Sequence, residues 1–329
     1  MPSAFIPPMA PLMKTATAFL CALAFTTAHA IDFTVPDEAQ RLKAIGDLSG
    51  CSPLQARAFT PDARLFQPIP KPKANDWLAS HEEAQQTFDQ FRAEPAAQPD
   101  ALHKKLYLLP LGEFPPGSPS LSRLTDFAQA FFGMPVAITG STAITGLPIA
   151  TRRNAGTQKR QLLTTDILTW LQKQKPKDAF SIIAVTMEDL YPEESWNFVF
   201  GEASLAGGTG VFSFARYDPQ FFGERRGEGT EKLILERSLK VLAHEMSHMF
   251  GIEHCTYFHC LMNGANHMRE TDESPLHLCP MCLRKLHHGA GFNLMVREQA
   301  LMKFYQANGL PEEAEWEGRR VGQLSGKTP

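Results

Sequence analysis

Charge of one sign is what this 329-residue chain lacks: 32 Lys and Arg stand against 35 Asp and Glu, a formal net charge of −3. With no basic stripe and a sequence pI of about 6.4, there is no electrostatic footprint for nucleic acid, and no nucleic-acid partner is expected. Long hydrophobic runs are also wanting. Residues 15–28 are apolar, but the run is too short and too rich in Thr and Ala for a stable membrane span. Cysteine is sparse, and four of the six fall after residue 250. At 43% hydrophobic and 20% charged, the chain is not disordered throughout, and it is long enough for one sizeable domain with elaborations or for two small ones.

The two ends read differently from the middle. Met13-Lys14 precedes the apolar run and Ala28-His29-Ala30 follows it as a small-x-small cleavage pattern, so residues 1–30 resemble a secretory signal, with a start at Met13 improving the fit. Its use predicts a secreted or periplasmic protein; without it the alternative is cytoplasmic. Loss of the segment removes Cys21 and leaves Cys51, read as an inert half-buried thiol. Residues 31–100 are rich in Pro and polar side chains, with Pro68-Ile69-Pro70-Lys71-Pro72 extended and a helix predicted over about 82–91. They read as an N-terminal extension wrapped over a domain at 101–310, the Pro run being a connector more than a recognition segment. Residues 311–329 read as a polar tail.

The densest information lies in His244-Glu245-Met246-Ser247-His248-Met249-Phe250-Gly251-Ile252-Glu253-His254. On a helix of about 3.6 residues per turn His244 and His248 share a face, so both imidazoles can reach one metal ion. Glu245 sits beside them as a candidate general base. Gly251 permits the φ > 0 turn that ends the helix and brings in His254 as a third ligand. Three histidines leave a fourth zinc position open for a water whose pKa falls to about 7, the mark of a catalytic rather than a structural zinc. With Gly251, His254 and the downstream Met262, the pattern is the metzincin signature. Asn263-Gly264 beside that methionine suits a tight turn. Cys255, Cys260, Cys279 and Cys282 have spacings suited to a second, closed zinc, against disulfides or a Cys-x-x-Cys redox pair as competing readings. Cys255 adjoins His254, so a closed site there would brace the open one.

With HExxHxxGxxHC, Cys260, Met262 and the terminal Cys279-Pro280-Met281-Cys282, the sequence resembles the archaemetzincins. The match is densest over 235–286. Upstream, Phe66-Gln67-Pro68-Ile69-Pro70, Asp76-Trp77-Leu78, Gln86-Thr87-Phe88 and the run from Gly210 to Tyr217 are similar to segments of eukaryotic-type members. The resemblance implies a catalytic zinc on His244, His248 and His254, Glu245 as base, and a structural zinc on Cys255, Cys260, Cys279 and Cys282: two Zn2+ per chain.

Hydrophobic periodicity supplies the scaffold. Strand-like runs at 105–110, 135–139, 179–186, 196–200 and 210–217 alternate with helical spacing at 121–132, 162–171, 231–250 and 295–305. The expected fold is α/β: a metzincin-like zincin domain with a mixed twisted sheet, an active-site helix and a C-terminal subdomain bearing the four cysteines. Gly207-Gly208-Thr209-Gly210 and the strand after it are read either as a sheet edge that pairs with an extended substrate or as a glycine-rich hairpin without that role. The expected activity is hydrolysis of peptide bonds, of short peptides if the extension narrows the cleft, by Glu245-assisted attack of zinc-bound water. The alternative is a catalytically silent, zinc-stabilised binding module, against which Glu245 beside an open three-histidine site argues. Tyr257, His259 and His267 are near enough to be considered as oxyanion partners but read as structural or solvent-facing. Oligomeric state and cleavage preference are not written in the sequence.

Overall fold

A computed structural model of the chain describes residues 18–23 (as backbone), 31–94, 98–204 and 207–326. The cleavage-like Ala28-His29-Ala30 lies outside them. Nine strands form one mixed sheet: β1 (Ala18–Leu23), β2 (Lys105–Leu111), β3 (Val136–Ile138), β4 (Thr151–Arg153), β5 (Arg160–Leu163), β6 (Ala179–Thr186), β7 (Asp189–Tyr191), β8 (Phe198–Ser204) and β9 (Thr209–Ser213). Their order is β3-β2-β6-β9-β8-β7-β5-β4, with β1 beside β8. β2, β3, β6 and β9 are parallel, and β8 runs against β9. β6 is buried at every position and apolar at all but Ser181 and Thr186, as expected of a strand covered on both faces.

Four short helices, α1 (Glu38–Ile45), α2 (Pro53–Phe59), α3 (Trp77–Ser80) and α4 (Phe88–Ala93), belong to the N-terminal extension. α5 (Leu121–Phe132) and α6 (Thr164–Gln174) cover opposite faces of the sheet. Ile167, Leu168 and Leu171 of α6 pack on Ile182, Ala184 and Val211. Leu124, Phe127 and Phe131 of α5 join Ile183, Val185 and Phe212 in the larger core, which also takes Ile234, Leu239 and Leu242 of α7 (Thr230–His248). The chain closes with α8 (Met268–Glu273), α9 (Pro280–Ala290), α10 (Leu294–Ala307) and α11 (Pro311–Leu324). Among the described residues no helix is long and apolar enough to cross a membrane.

Three expectations are corrected. The helix predicted over 82–91 begins only at Phe88, where Thr87 and Gln90 form a reciprocal capping box; residues 81–87 are irregular because their side chains are used in tertiary contacts described below. The polar tail is a helix over 311–324, started by Pro311 and burying Ala314, Glu317, Arg320 and Leu324. The strand after Gly207–Gly210 is not an edge. β9 lies between β6 and β8, and all five of its residues are buried. Next to α7 the backbone that lies outside the main strand order on one side is that of β8, whose residues 201–204 pair with β9 on one side and hence with β1 on the other.

Candidate functional site

The site grows from the C-terminal end of α7. His244 and His248 lie one turn apart with ring centroids 4.7 Å from each other, and the helix ends at His248. Gly251 has φ +82° and donates its N–H to the His248 carbonyl at 2.8 Å. The chain thus reverses, and His254 arrives with its ring centroid 5.3 Å from that of His244 and 5.0 Å from that of His248. Each ring is held through Nδ1: His244 by the Leu261 carbonyl at 2.9 Å, His248 by the Ile252 carbonyl at 2.6 Å, His254 by Glu83 Oε1 at 2.7 Å. An oxygen acceptor at Nδ1 requires the proton there, which makes Nε2 the lone-pair atom on every ring.

These residues fit a metal of the zinc type. One ligand atom from each of the three lies within 4.8 Å of the other two, and the Nε2 atoms of His244 and His248 are 3.0 Å apart. That is close to the roughly 3.3 Å edge of a tetrahedron with metal–nitrogen bonds of about 2.0–2.1 Å. Burial, then the neighbouring His254, pushes His244 down to about 3. His248 is lowered well below its ordinary value by burial and by the other two rings. Those two rings are therefore neutral, which is the form that ligates.

Glu245 follows His244 on the same helix and is 1% exposed. Burial, with a smaller contribution from Glu202, pushes its carboxyl up to about 8. Its neighbour across the sheet is β8, where the β1 register skips Phe200, a bulge-like irregularity next to the site. A Cβ built on Gly201 would meet Phe212 Cβ and the Val211 carbonyl at 2.9 Å and the Glu245 carboxyl carbon at 3.2 Å. Gly201 is therefore there for close approach. We expect Gly201→Ala to cost about 1–3 kcal/mol of stability by overpacking and, if Glu245 is displaced by about 1 Å, to lower kcat on the order of 10²-fold. Thermal unfolding and steady-state kinetics check both; parent-like kcat would show that β8 does not constrain Glu245.

Beyond His254 the chain enters the cysteine cluster. Cys255, Cys260, Cys279 and Cys282 are buried and unbridged, with their sulfurs within 4.8 Å of one another. The Cys255 to Cys279 separation of 3.8 Å equals the edge of a tetrahedron with metal–sulfur bonds of about 2.3 Å. Burial opposes ionisation of Cys255, but hydrogen bonds from the other three thiols hold it well below its usual value. The four thiols thus fit a closed tetrahedral metal, and neither a disulfide nor an isolated redox pair. Met262 is fully buried, and its carbonyl accepts from the Cys255 N–H at 2.7 Å. Asn263 ties the turn, accepting from Cys260 N–H at 2.8 Å and donating to the Cys255 and Phe258 carbonyls at 2.6 and 2.9 Å. Gly264 serves a purpose not foreseen from the turn: a Cβ there would lie 2.5 Å from the Trp77 indole.

Several participants were not singled out by sequence spacing. Glu83, Trp77 and Gln86 come from the N-terminal extension, and Lys285 from α9. Lys285 Nζ reaches the Gln86 carbonyl at 2.6 Å and its Oε1 at 2.8 Å. Trp77 and Gln86 stood within the quoted upstream segments; Glu83, in His81-Glu82-Glu83, carried no signal. The three nearby polar residues are accounted for structurally. Tyr257 is buried with its hydroxyl toward Gln85, His259 is fixed by its main-chain N–H donating to the Gln67 carbonyl, and the His267 side chain caps α8.

Known proteins resemble this chain over most of its length. The profile of peptidase family M54 matches residues 158–288. Archaemetzincin-2 of Macaca fascicularis is 38% identical over 288 residues, covering 78% of this chain and 80% of that protein. Archaemetzincin-1 of Homo sapiens is 34% identical over 280 residues, covering 77% of this chain and 56% of that protein. The crystal structure of archaemetzincin from Methanopyrus kandleri aligns with 58% of this chain and 97% of that chain, at 27% identity and a TM-score of 0.44.

Proposed function

The chain belongs to the archaemetzincin family and is a zinc metallopeptidase, and on that premise we propose that it hydrolyses short peptides at the three-histidine centre. The observation that carries this is the convergence of His244, His248 and His254 with Glu245 beside them. His244, His248 and His254 would hold zinc, which when bound would supply Lewis acidity toward a carbonyl and water. Glu245 takes the proton of the attacking water at its carboxylate and delivers it to the departing amine. Cys255, Cys260, Cys279 and Cys282 hold a second, structural zinc.

Restriction to short peptides is supported by the space available. A slot of ≈ 30 Å³ beside Glu245 is lined by Phe200, Val241, Leu261 and Ala265, with Lys240 at its wall. It shares Asn263 and Ser274 with a cleft of ≈ 340 Å³ walled by Pro68, Pro70 and Pro72 of the extension. Small side chains fit the slot, and the strap of prolines limits what passes.

An extended peptide would pair with the outer side of β8 at 201–204, main chain to main chain, next to Glu245. In this structure β1 lies along that side, with Cys21 opposite Gly201. A chain beginning at Ile31 is therefore expected to show a KM several-fold lower than the full chain at unchanged kcat, because β1 no longer competes; identical KM values would place the substrate elsewhere.

The test of the reading itself is metal quantification together with a peptide-library digest, on the parent and on Glu245→Gln. Two zinc ions per chain with cuts that depend on Glu245 is the expected result. Zinc-replete protein that cuts no peptide in the library would favour the binding-module alternative.

A further inference from the structure

The three histidines differ in what holds them. His244 and His248 point Nδ1 at main-chain carbonyls of their own region, Leu261 and Ile252. His254 points Nδ1 at a carboxylate, Glu83, and that carboxylate comes from a segment 171 residues earlier in the chain. Its side chain is 12% exposed, and the same Oε1 accepts the indole N–H of Trp77. The Trp77 ring stands edge-on to His254 at 5.3 Å and stacks on His81 at 3.7 Å.

The neighbouring residues clamp the loop that carries His254. Gln86 donates from Nε2 to the Gly251 carbonyl at 3.0 Å and accepts the Glu253 N–H at 3.1 Å, so one side chain brackets the reversal at Gly251. Further along, the Ile69 N–H donates to the Tyr257 carbonyl at 3.2 Å and the Gln67 carbonyl accepts from His259 at 3.0 Å. The extension therefore lines the outside of the loop from 251 to 259, which bears the third histidine and the first cysteine.

We propose that Glu83 is a positioning residue for the catalytic zinc, its carboxylate fixing the tautomer and ring angle of His254, so that the N-terminal extension completes the metal centre. A ring free to turn about its Cβ–Cγ bond must be ordered when metal binds; a ring already held by a carboxylate is not, and the negative charge also strengthens Nε2 as a donor. The extension then has a catalytic consequence without touching substrate. This rests on the reading of His244, His248 and His254 as the zinc site.

The test is zinc affinity at the three-histidine centre, by chelator competition on the full chain with the cysteine site left loaded, together with the absorption spectrum of the cobalt(II)-substituted centre. Glu83→Gln, which keeps the shape, is expected to weaken zinc about 10- to 100-fold and to shift the cobalt bands. Glu82→Gln removes a carboxylate charge at the exposed neighbouring position and leaves His254 its partner, so its affinity should stay near the parent's; Glu83→Asp should recover part of the loss. Parent-like zinc affinity and cobalt bands in Glu83→Gln would overturn the proposal. So would equal losses in Glu83→Gln and Glu82→Gln, or loss of the cysteine-bound metal in Glu83→Gln, since these mark a general charge or folding effect and no specific hold on His254. The underlying reading fails separately: it falls if His248→Ala retains both metal equivalents.

Discussion

Replacing Glu245 with glutamine lowers kcat for peptide cleavage by about 10²- to 10⁴-fold, the range for loss of a general base, and leaves two zinc ions per chain. In barrier terms this is about 3–5.5 kcal/mol. Glutamine has the same shape as glutamate, which matters because the carboxyl carbon of Glu245 sits 3.2 Å from where a Cβ on Gly201 would be. A bulkier or smaller side chain would mix a packing change with the chemical one. The metal stays because Glu245 is not among the clustered donors. KM should move little, since the residue's work is proton transfer rather than grip on the peptide. Burial disfavours its charge, pushing it up to about 8 in the metal-free protein; a nearby divalent cation stabilises the carboxylate and restores a group able to accept a proton. Turnover equal to the parent's would remove Glu245 from the mechanism.

The second large effect is expected from Cys282→Ala. Zinc count should fall from two to one, and the protein should lose more than about 5 kcal/mol, a fraction of the roughly 10–16 kcal/mol that structural zinc supplies in small metal-folded peptides. In a chain of this size that corresponds to a Tm lower by more than about 10 °C. Activity should fall with it, for a local reason. Cys255 follows His254 directly, its N–H holds the Met262 carbonyl, and the preceding Leu261 carbonyl is the acceptor for His244. Loosening the cysteine cluster therefore disturbs two of the three histidines. Calorimetry with native mass spectrometry reads both quantities. An unchanged Tm with two zinc ions still bound would show that Cys282 holds no metal.

Much of the core scaffold was legible because its periodicities are strong. The run at 179–186, with few polar positions, is the strand β6, and the helical spacings near 121–132 and 231–250 are α5 and α7. The histidine, glycine and cysteine spacings also brought together the residues they pointed to; the histidines and each cysteine pair span a helix turn or a short loop, while the two cysteine pairs meet across the 19 residues from Cys260 to Cys279. What was not legible depends on distance in the chain or on reuse of a polar side chain. Glu83 has no local signature because its partner is 171 residues away. Residues 82–87 looked helical, yet Glu83 and Gln86 are committed to His254 and to the loop at 251–253, and tertiary contact overrode propensity. The glycines at 207–210 suggested either a substrate-pairing edge or a hairpin; β8 and β9 are antiparallel neighbours across them, as in a hairpin, and a Cβ at Gly210 would strike Met249 at 2.4 Å and Ile183 at 3.2 Å, so that glycine admits the helix, not the substrate. The last helix was hidden by its charges. Arg320 is 1% exposed and Glu317 2%, and Arg320 reaches back to the Ala58 carbonyl at 2.6 Å, a use of a charged side chain that composition reads as solvent-facing.

The pairing of β1 with β8 also bears on how the protein behaves at high concentration. Removal of residues 1–30 would bare the outer N–H and C=O groups of 201–204, and an open strand recruits other strands. The same backbone that would receive a peptide could receive its counterpart from a second copy, antiparallel and in register. Storage and crystallisation of the shortened protein would then be governed by self-association through the cleft, and a short peptide ligand would act as a solubiliser as well as a substrate.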